Sequence, residues 1–203
     1  MSALEDLLDQ LDAARERTLM ALETLPDEAL TQPGVIGRWA IADLLSILTA
    51  WDAEIVTALM QLQSGKPPER LLAALRNPDI YNAQRYQEAQ GRTLDSIFDD
   101  FQASRLHLED GLSRLSERAL TNPRHYNALA GESLGRLIGR ATYQHEARYL
   151  PFLTAFADRW EDAEPPAVIP LGDIGLGTGA LGLPGTNGDA NMSFPEDDDD
   201  DFG

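Results

Sequence analysis

The stretch that decides the fold runs from residue 34 to residue 54 and reads GVIGRWAIADLLSILTAWDAE. From Leu44 to Leu62, apolar side chains recur every three or four residues, which is the spacing of one face of an α-helix. Three further stretches show the same spacing, and they begin near Leu4, Leu94 and Leu134. No segment alternates with period two. The sequence therefore predicts an all-α fold in which residues 1–162 form an antiparallel four-helix bundle.

A long connection, residues 64–92, separates the second predicted helix from the third. Two pieces of it, RLLAALR and YNAQRYQEAQ, predict short helices. A connection of this length can cross the end or the side of a bundle, so we expect a long crossover instead of a short loop. In the fourth helix, Pro151 removes a backbone donor, and we expect a bend there.

The composition changes after residue 162. Residues 163–203 contain eight glycines, five prolines and nine acidic residues, and they contain no Lys or Arg. Scattered apolar residues among glycine, proline and like charges oppose a packed core, so a disordered acidic tail is predicted. Such a tail keeps a protein soluble, and it also offers a segment that a basic protein can contact.

Charge and composition exclude several classes of function. The formal net charge is -18, which repels nucleic acid phosphates and anionic membrane surfaces. The chain has no cysteine, which excludes disulfides, thiolate nucleophiles and Cys-ligated zinc. The N-terminus lacks a signal peptide pattern and no apolar run approaches eighteen residues, so we expect a cytoplasmic protein that does not enter a membrane.

His145 lies on the apolar stripe of the fourth predicted helix. An imidazole in that position must find a hydrogen-bond partner or stay neutral. Two interpretations stay open. His145 is either a core histidine whose ring nitrogens are hydrogen-bonded, or a residue that lines a pocket. Trp51 lies on the apolar stripe of the second helix, where an aromatic side chain is usually part of the core.

Three segments resemble the DinB-like superfamily of four-helix bundles, and they are residues 34–54, 77–105 and 138–153. In the first segment Trp39 opens the second helix and Trp51 follows about three turns later. The second segment is similar to the self-resistance branch of the superfamily. The resemblance covers roughly residues 5–158. It implies the bundle fold, and it makes a homodimer plausible.

Many members of this superfamily bind a divalent metal through three histidines, one on the second helix and two on the fourth. The resemblance places these positions at Ile47, His145 and Tyr149. One imidazole does not hold zinc or nickel unless other donors converge, so the resemblance implies a degenerate site and no metal cofactor is predicted. Of the nearby acids, Asp43 shares the Ile47–Trp51 face, one turn closer to the start of the helix.

The first functional interpretation is a metal-free bundle that binds, or modifies, a small molecule between the second and fourth helices. Trp51, His145 and Tyr149 are its expected ligand-binding residues. The candidate catalytic residues are His145 as a general base and Tyr149 as a hydrogen-bond donor. One alternative is a non-catalytic interaction protein that acts through dimerisation and the acidic tail. Another is a metal-assisted hydrolase or thiol-dependent transferase with substituted ligands.

Overall fold

A computed structural model describes residues 2–162, with side chains as far as Trp160. The described residues form α-helices and one short 3-10 turn (Asn127–Leu129). They contain no strand beyond an isolated bridge between Ile36 and Trp39, so the all-α prediction is confirmed. The predicted tail, residues 163–203, lies outside the described residues. None of the described helices is long and apolar enough to cross a membrane.

The helices are α1 (Ala3–Leu22), α2 (Asp27–Thr31), α3 (Ile41–Gln63), α4 (Glu69–Arg76), α5 (Pro78–Ala89), α6 (Leu94–Ser113), α7 (Glu117–Thr121), α8 (Leu134–Ala141), α9 (Tyr143–Glu146) and α10 (Leu150–Asp162).

The bundle consists of α1, α3, α6 and the segmented helix α8–α10. The Arg15 side chain on α1 donates to the Phe101 carbonyl on α6 (2.7 Å), and Arg105 donates back to the Leu11 carbonyl (2.6 Å). Residue numbers rise along α1 as they fall along α6, so these two helices are antiparallel. The predicted four-helix bundle is confirmed, and α4 and α5 form the expected crossover.

The second and third helices of the bundle, α3 and α6, run in the same direction. Asp52 meets Arg105 near their middles, and Leu59 lies against Gly111 further along both helices. The crossover makes this arrangement possible, because it returns the chain to the end of the bundle at which α3 began.

The fourth helix is divided, and the expected bend at Pro151 was wrong in position. The break comes at Thr142, whose φ of -115° and ψ of -101° are not helical. The Tyr143 ring fills the space beside Gly139, where an added Cβ would lie 2.6 Å from the Tyr143 hydroxyl. Pro151 lies in the first turn of α10, where a missing N–H breaks no helical bond. Phe152 continues the apolar spacing of the fourth helix, but its side chain is 53% exposed.

Buried apolar residues form two clusters, one toward each end of the bundle. The first holds Ile47 and Trp51 of α3, with exposed fractions of 0% and 2%. The expectation that Ile47 is buried on the same helix face as Trp51 is therefore confirmed. The second cluster packs the other end of α3 against α6 and α10, through Leu44, Phe101 and Leu153 among others.

An internal repeat relates α1–α2 to α6–α7. LPDEALTQPG at residues 25–34 aligns without a gap with LSERALTNPR at residues 115–124. The same constant offset pairs Leu11 with Phe101 and Arg15 with Arg105. The two reciprocal arginine–carbonyl bonds between α1 and α6 are thus one contact made twice, as expected for two related helical hairpins packed face to face.

Candidate functional site

Trp51, His145 and Tyr149 contact one another. The His145 ring centroid lies 5.1 Å from that of Trp51 and 5.2 Å from that of Tyr149. Trp51 and His145 are almost fully buried, whereas Tyr149 is half-buried and forms the outer edge of the cluster. The break at Thr142 precedes this cluster and sets the direction in which α9 presents His145.

Asn82 on α5 links these side chains in a chain of hydrogen bonds. The Trp51 indole donates to Asn82 Oδ1 (2.8 Å), and Asn82 Nδ2 donates to the Tyr149 hydroxyl (3.3 Å). Tyr149 lies 3.2 Å from His145 Nε2. Since the indole can only donate, the orientation of the amide is fixed, and the tyrosine hydroxyl accepts from Asn82. The direction of the hydrogen bond between Tyr149 and His145 depends on which ring nitrogen carries the proton.

The Nδ1 atom of His145 is buried, and it has no hydrogen-bond partner among the described residues. Burial, with a smaller effect of the Arg148 charge, lowers the pKa of His145 from 6.5 to about 4. The ring is therefore uncharged at neutral pH. The indole nitrogen of Trp39, whose ring centroid is 6.5 Å from that of Tyr149, is also buried without a partner in the described part of the chain. His145 Nδ1 and the Trp39 indole nitrogen are thus two buried ring nitrogens without a partner in the described residues.

The crossover helices cover the other side of Trp51. The Tyr81 ring of α5 packs on the indole at a centroid distance of 4.6 Å, and its hydroxyl donates to the Ala50 carbonyl (3.1 Å). Burial, followed by the nearby Glu54 carboxylate, raises the pKa of Tyr81. Glu54 itself is held by Arg70 of α4 (3.0 Å). These contacts fix α5, and with it Asn82, against α3.

A buried group of four charges lies next to this cluster. Asp52 accepts from Arg15 (2.9 Å) and from Arg105 (3.1 Å). Glu146, the residue after His145, lies 3.1 Å from Arg105 and 3.4 Å from Arg15. Two positive and two negative side chains from α1, α3, α6 and α9 therefore neutralise one another inside the bundle. We call these four side chains the charge tetrad.

The sequence interpretation missed the tetrad and Asn82. Ser104 and Arg105 interrupt the apolar spacing of α6, yet both side chains are buried. The signal that finds the two arginines is the internal repeat, which places Arg15 and Arg105 at equivalent positions. No comparable signal marks Asn82, because its partners come from other helices.

The residues at the three expected metal positions do not fit a metal ion. Ile47 is fully buried among apolar side chains, and His145 Nε2 is already bonded to Tyr149. No group of three or more His, Asp or Glu side chains within the described residues is arranged to hold an ion. Asp43 instead caps α3 by accepting from the Ala40 backbone N–H (2.9 Å).

Two clefts lie away from the Trp51–His145–Tyr149 cluster. One of about 540 Å³ separates α1 from α6, and its lining includes Arg15, Arg105 and Glu109. The other, of about 600 Å³, runs between α3 and α6. Neither cleft is lined by Trp51, His145 or Tyr149.

Comparison with known proteins gives a family and a fold. The sequence profile of the DinB superfamily matches residues 10–150. A crystal structure of an uncharacterised protein from Escherichia coli UTI89 is similar, with a TM-score of 0.61 and 16% identity over 79% of this chain and 96% of that chain. That likeness supports the fold alone. No curated protein gave a significant match.

Proposed function

Because the chain belongs to the DinB superfamily, we propose that it is a member that binds a small carboxylate beside Trp51, His145 and Tyr149 without a metal. The observation that carries this proposal is the buried Nδ1 atom of His145, which has no hydrogen-bond partner among the described residues. When the Tyr149 hydroxyl donates to Nε2, the neutral ring carries its proton on Nδ1. A buried donor without a partner costs roughly 1–3 kcal/mol, and a ligand oxygen that accepts its proton removes that cost.

The surroundings of His145 support a partly apolar acid as the ligand. The Trp39 indole is a second unpaired donor near Tyr149. Arg148 is exposed, and its charge acts on the His145 ring. Aromatic walls with two donors and a nearby cation suit a carboxylate attached to an apolar body.

Binding fits the cluster better than general-base catalysis by His145. A general base works best when its pKa is near the working pH, and burial lowers the pKa of His145 to about 4. Its Nε2 atom is already hydrogen-bonded to the Tyr149 hydroxyl, so that nitrogen is not free to remove a proton from a ligand.

The test is a ligand-observed NMR screen of small aromatic and aliphatic carboxylates, each paired with its neutral primary amide. We expect carboxylates to bind more tightly than their amides and to shift the ¹⁵Nδ1 resonance of His145. His145→Phe should abolish this binding, whereas the control His125→Phe, in an exposed loop, should keep it. Carboxylates that bind His145→Phe as well as the parent, or a screen without a binder, would exclude the proposal.

The double variant His145→Phe with Tyr149→Phe separates a ligand site from a structural hydrogen-bond chain. If the hydrogen-bond chain serves structure, the unfolding free energy of the double variant should fall by about 1–3 kcal/mol, because Asn82 loses its acceptor. If the site serves a ligand, stability should hold while carboxylate binding disappears. Unfolding in urea gives the first quantity, and the NMR screen gives the second.

A further inference from the structure

The cleft between α1 and α6 is an open groove with apolar side chains along its walls. Leu19 and Met20 of α1 and Phe98 of α6 line it. Leu19 is 37% exposed and Met20 is 65% exposed, although both lie beside the groove. The volume of about 540 Å³ falls within the range of about 300–1,000 Å³ that is usual for small-molecule sites. Apolar side chains left open to water in such a groove form a surface that a ligand can cover.

One end of this groove is acidic. Asp12 and Glu16, one turn apart on α1, line it together with Glu109 of α6. None of these three carboxylates is ion-paired with an Arg or Lys side chain among the described residues. Burial, followed by the nearby Asp12 carboxylate, raises the pKa of Glu109. Two carboxylates that meet across a groove repel each other, and a cation between them removes that repulsion.

The two ends of the groove differ in chemistry although the internal repeat relates them. The offset that pairs the two arginines of the tetrad also pairs Leu19 with Glu109. Because α1 and α6 are antiparallel, these equivalent positions lie at opposite ends of the groove. Eight residues separate Asp12 from Met20, which is about 12 Å along the helix axis. A ligand that matches both ends therefore carries its charge at one end and an apolar body at the other.

The charges around the groove favour a cation over an anion. Arg15 and Arg105 also line it, but both are buried and already pair with the carboxylates of the tetrad. Every exposed charged side chain in the lining is acidic, including Glu23 near the end of α1. The formal net charge of -18 acts in the same direction, because it attracts cations and repels acids.

We propose that this groove binds an amphiphilic organic amine whose ammonium group lies between Asp12 and Glu109. Its apolar body covers Leu19, Met20 and Phe98. A charge-assisted hydrogen bond from ammonium to carboxylate is stronger than a neutral one, and it fixes the direction in which the ligand lies. This site shares no residue with the proposed carboxylate site, so each proposal can fail without the other.

A set of three probes tests the class of ligand. The full chain is titrated with octylammonium, octanol and ethylammonium and followed by ¹H–¹⁵N NMR, in about 0.15 M salt, where charges more than about 8 Å away are largely screened. We expect octylammonium to shift amide signals on both walls of the groove. Octanol lacks the charge and ethylammonium lacks the body, so each should bind at least about tenfold more weakly. Octanol that binds as tightly as octylammonium, or an absence of octylammonium binding, would overturn the proposal.

Substitution of the acidic end tests the position of the charge. Asp12→Asn with Glu109→Gln should weaken octylammonium binding by about tenfold or more. The control Glu69→Gln with Asp79→Asn removes the same charge from exposed positions on α4 and α5, and it should keep the parent affinity. Urea unfolding checks that the first variant is folded. Equal loss in both double variants would show that only the net charge attracts the amine, and would overturn the site.

Substitution of the apolar end tests the position of the body. Met20→Gln should weaken octylammonium binding by about threefold or more, because a polar side chain no longer covers the alkyl chain. Met60→Gln is the matched control, since Met60 is a similarly exposed methionine on α3, with an exposed fraction of 57%. Parent affinity is expected for this control. If Met20→Gln also kept the parent affinity, the alkyl chain would lie elsewhere and the proposed orientation would be wrong.

Discussion

At the scale of single residues, the unusual feature is a histidine kept neutral by its surroundings. The Tyr149 hydroxyl is hydrogen-bonded to Nε2, and Nδ1 has no partner among the described residues. No acidic side chain is within hydrogen-bonding distance of the ring among the described residues. Glu146, its neighbour in sequence, is engaged with Arg105 on the tetrad side. Burial and Arg148 then act together to lower the pKa of His145.

This pKa predicts how stability depends on pH. The pKa is 6.5 for an exposed histidine and about 4 for His145 in the folded protein, so the unfolded state binds more protons between these values. The stabilising contribution is present above pH 6.5 and is lost as the pH falls toward 4. We expect a loss of about 2 kcal/mol between pH 7 and pH 5 from this residue. Urea unfolding of the parent and of His145→Phe should differ in pH slope by this amount; parallel slopes would show that the ring titrates normally.

Helical spacing alone was sufficient to predict that Trp51 and His145 lie on inward-facing stripes, because a three-to-four residue period fixes which side of a helix is buried. The ligand role of Trp51, His145 and Tyr149 stays a prediction. Asn82 could not be found in this way. Its two hydrogen bonds join α5 to α3 and to the fourth helix, and such contacts depend on how the crossover lies over the bundle.

At the scale of helices, the charge tetrad fixes the register of α1, α3, α6 and α9. Buried ion pairs lose much of their attraction to the cost of removing charges from water, so their net stabilisation is small. Removing one member leaves an uncompensated buried charge and is far more costly. The main effect of the tetrad is therefore to specify which residues of the four helices face one another. Its net contribution to the stability of the fold is small.

Two variants test whether the tetrad mainly fixes the register of the helices or mainly stabilises the fold. Asp52→Asn leaves two buried arginines with one carboxylate, and we expect it to lower the unfolding free energy by about 3–5 kcal/mol. Replacing all four members with apolar residues of similar size should leave stability near that of the parent or above it. Urea unfolding measures both. A quadruple variant that loses as much as Asp52→Asn would show that the tetrad itself stabilises the fold.

The divided fourth helix shows where sequence patterns fail at this scale. The apolar spacing from Leu134 to Trp160 is continuous, so one long helix was expected. The break at Thr142 arises because Tyr143 packs over Gly139, which is a tertiary contact. Pro151 was the strongest local signal for a bend, but the chain had already left the helix at residues 147–149.

At the scale of the whole molecule, two apolar clusters lie toward the two ends of the bundle, and the chain carries a formal net charge of -18. Eight acidic residues and no basic residue lie in residues 165–203, so removing that segment changes the formal net charge from -18 to -10. Its many glycines and prolines oppose packing against the bundle. We therefore expect the segment to influence association through charge and to add little to the stability of the bundle.

Removal of residues 165–203 should strengthen, at low salt, the homodimer that the family resemblance implies. Two protomers of charge -10 repel each other less than two of charge -18. The repulsion acts over about 30 Å at 0.01 M salt and only about 3 Å at 1 M salt. Sedimentation velocity at both salt concentrations should show tighter association of the shortened chain at 0.01 M and equal association at 1 M. The melting temperature should stay within about 4 degrees of the parent, the shift that 1 kcal/mol would give. Weaker association of the shortened chain at high salt would mean that the segment itself contacts the second copy.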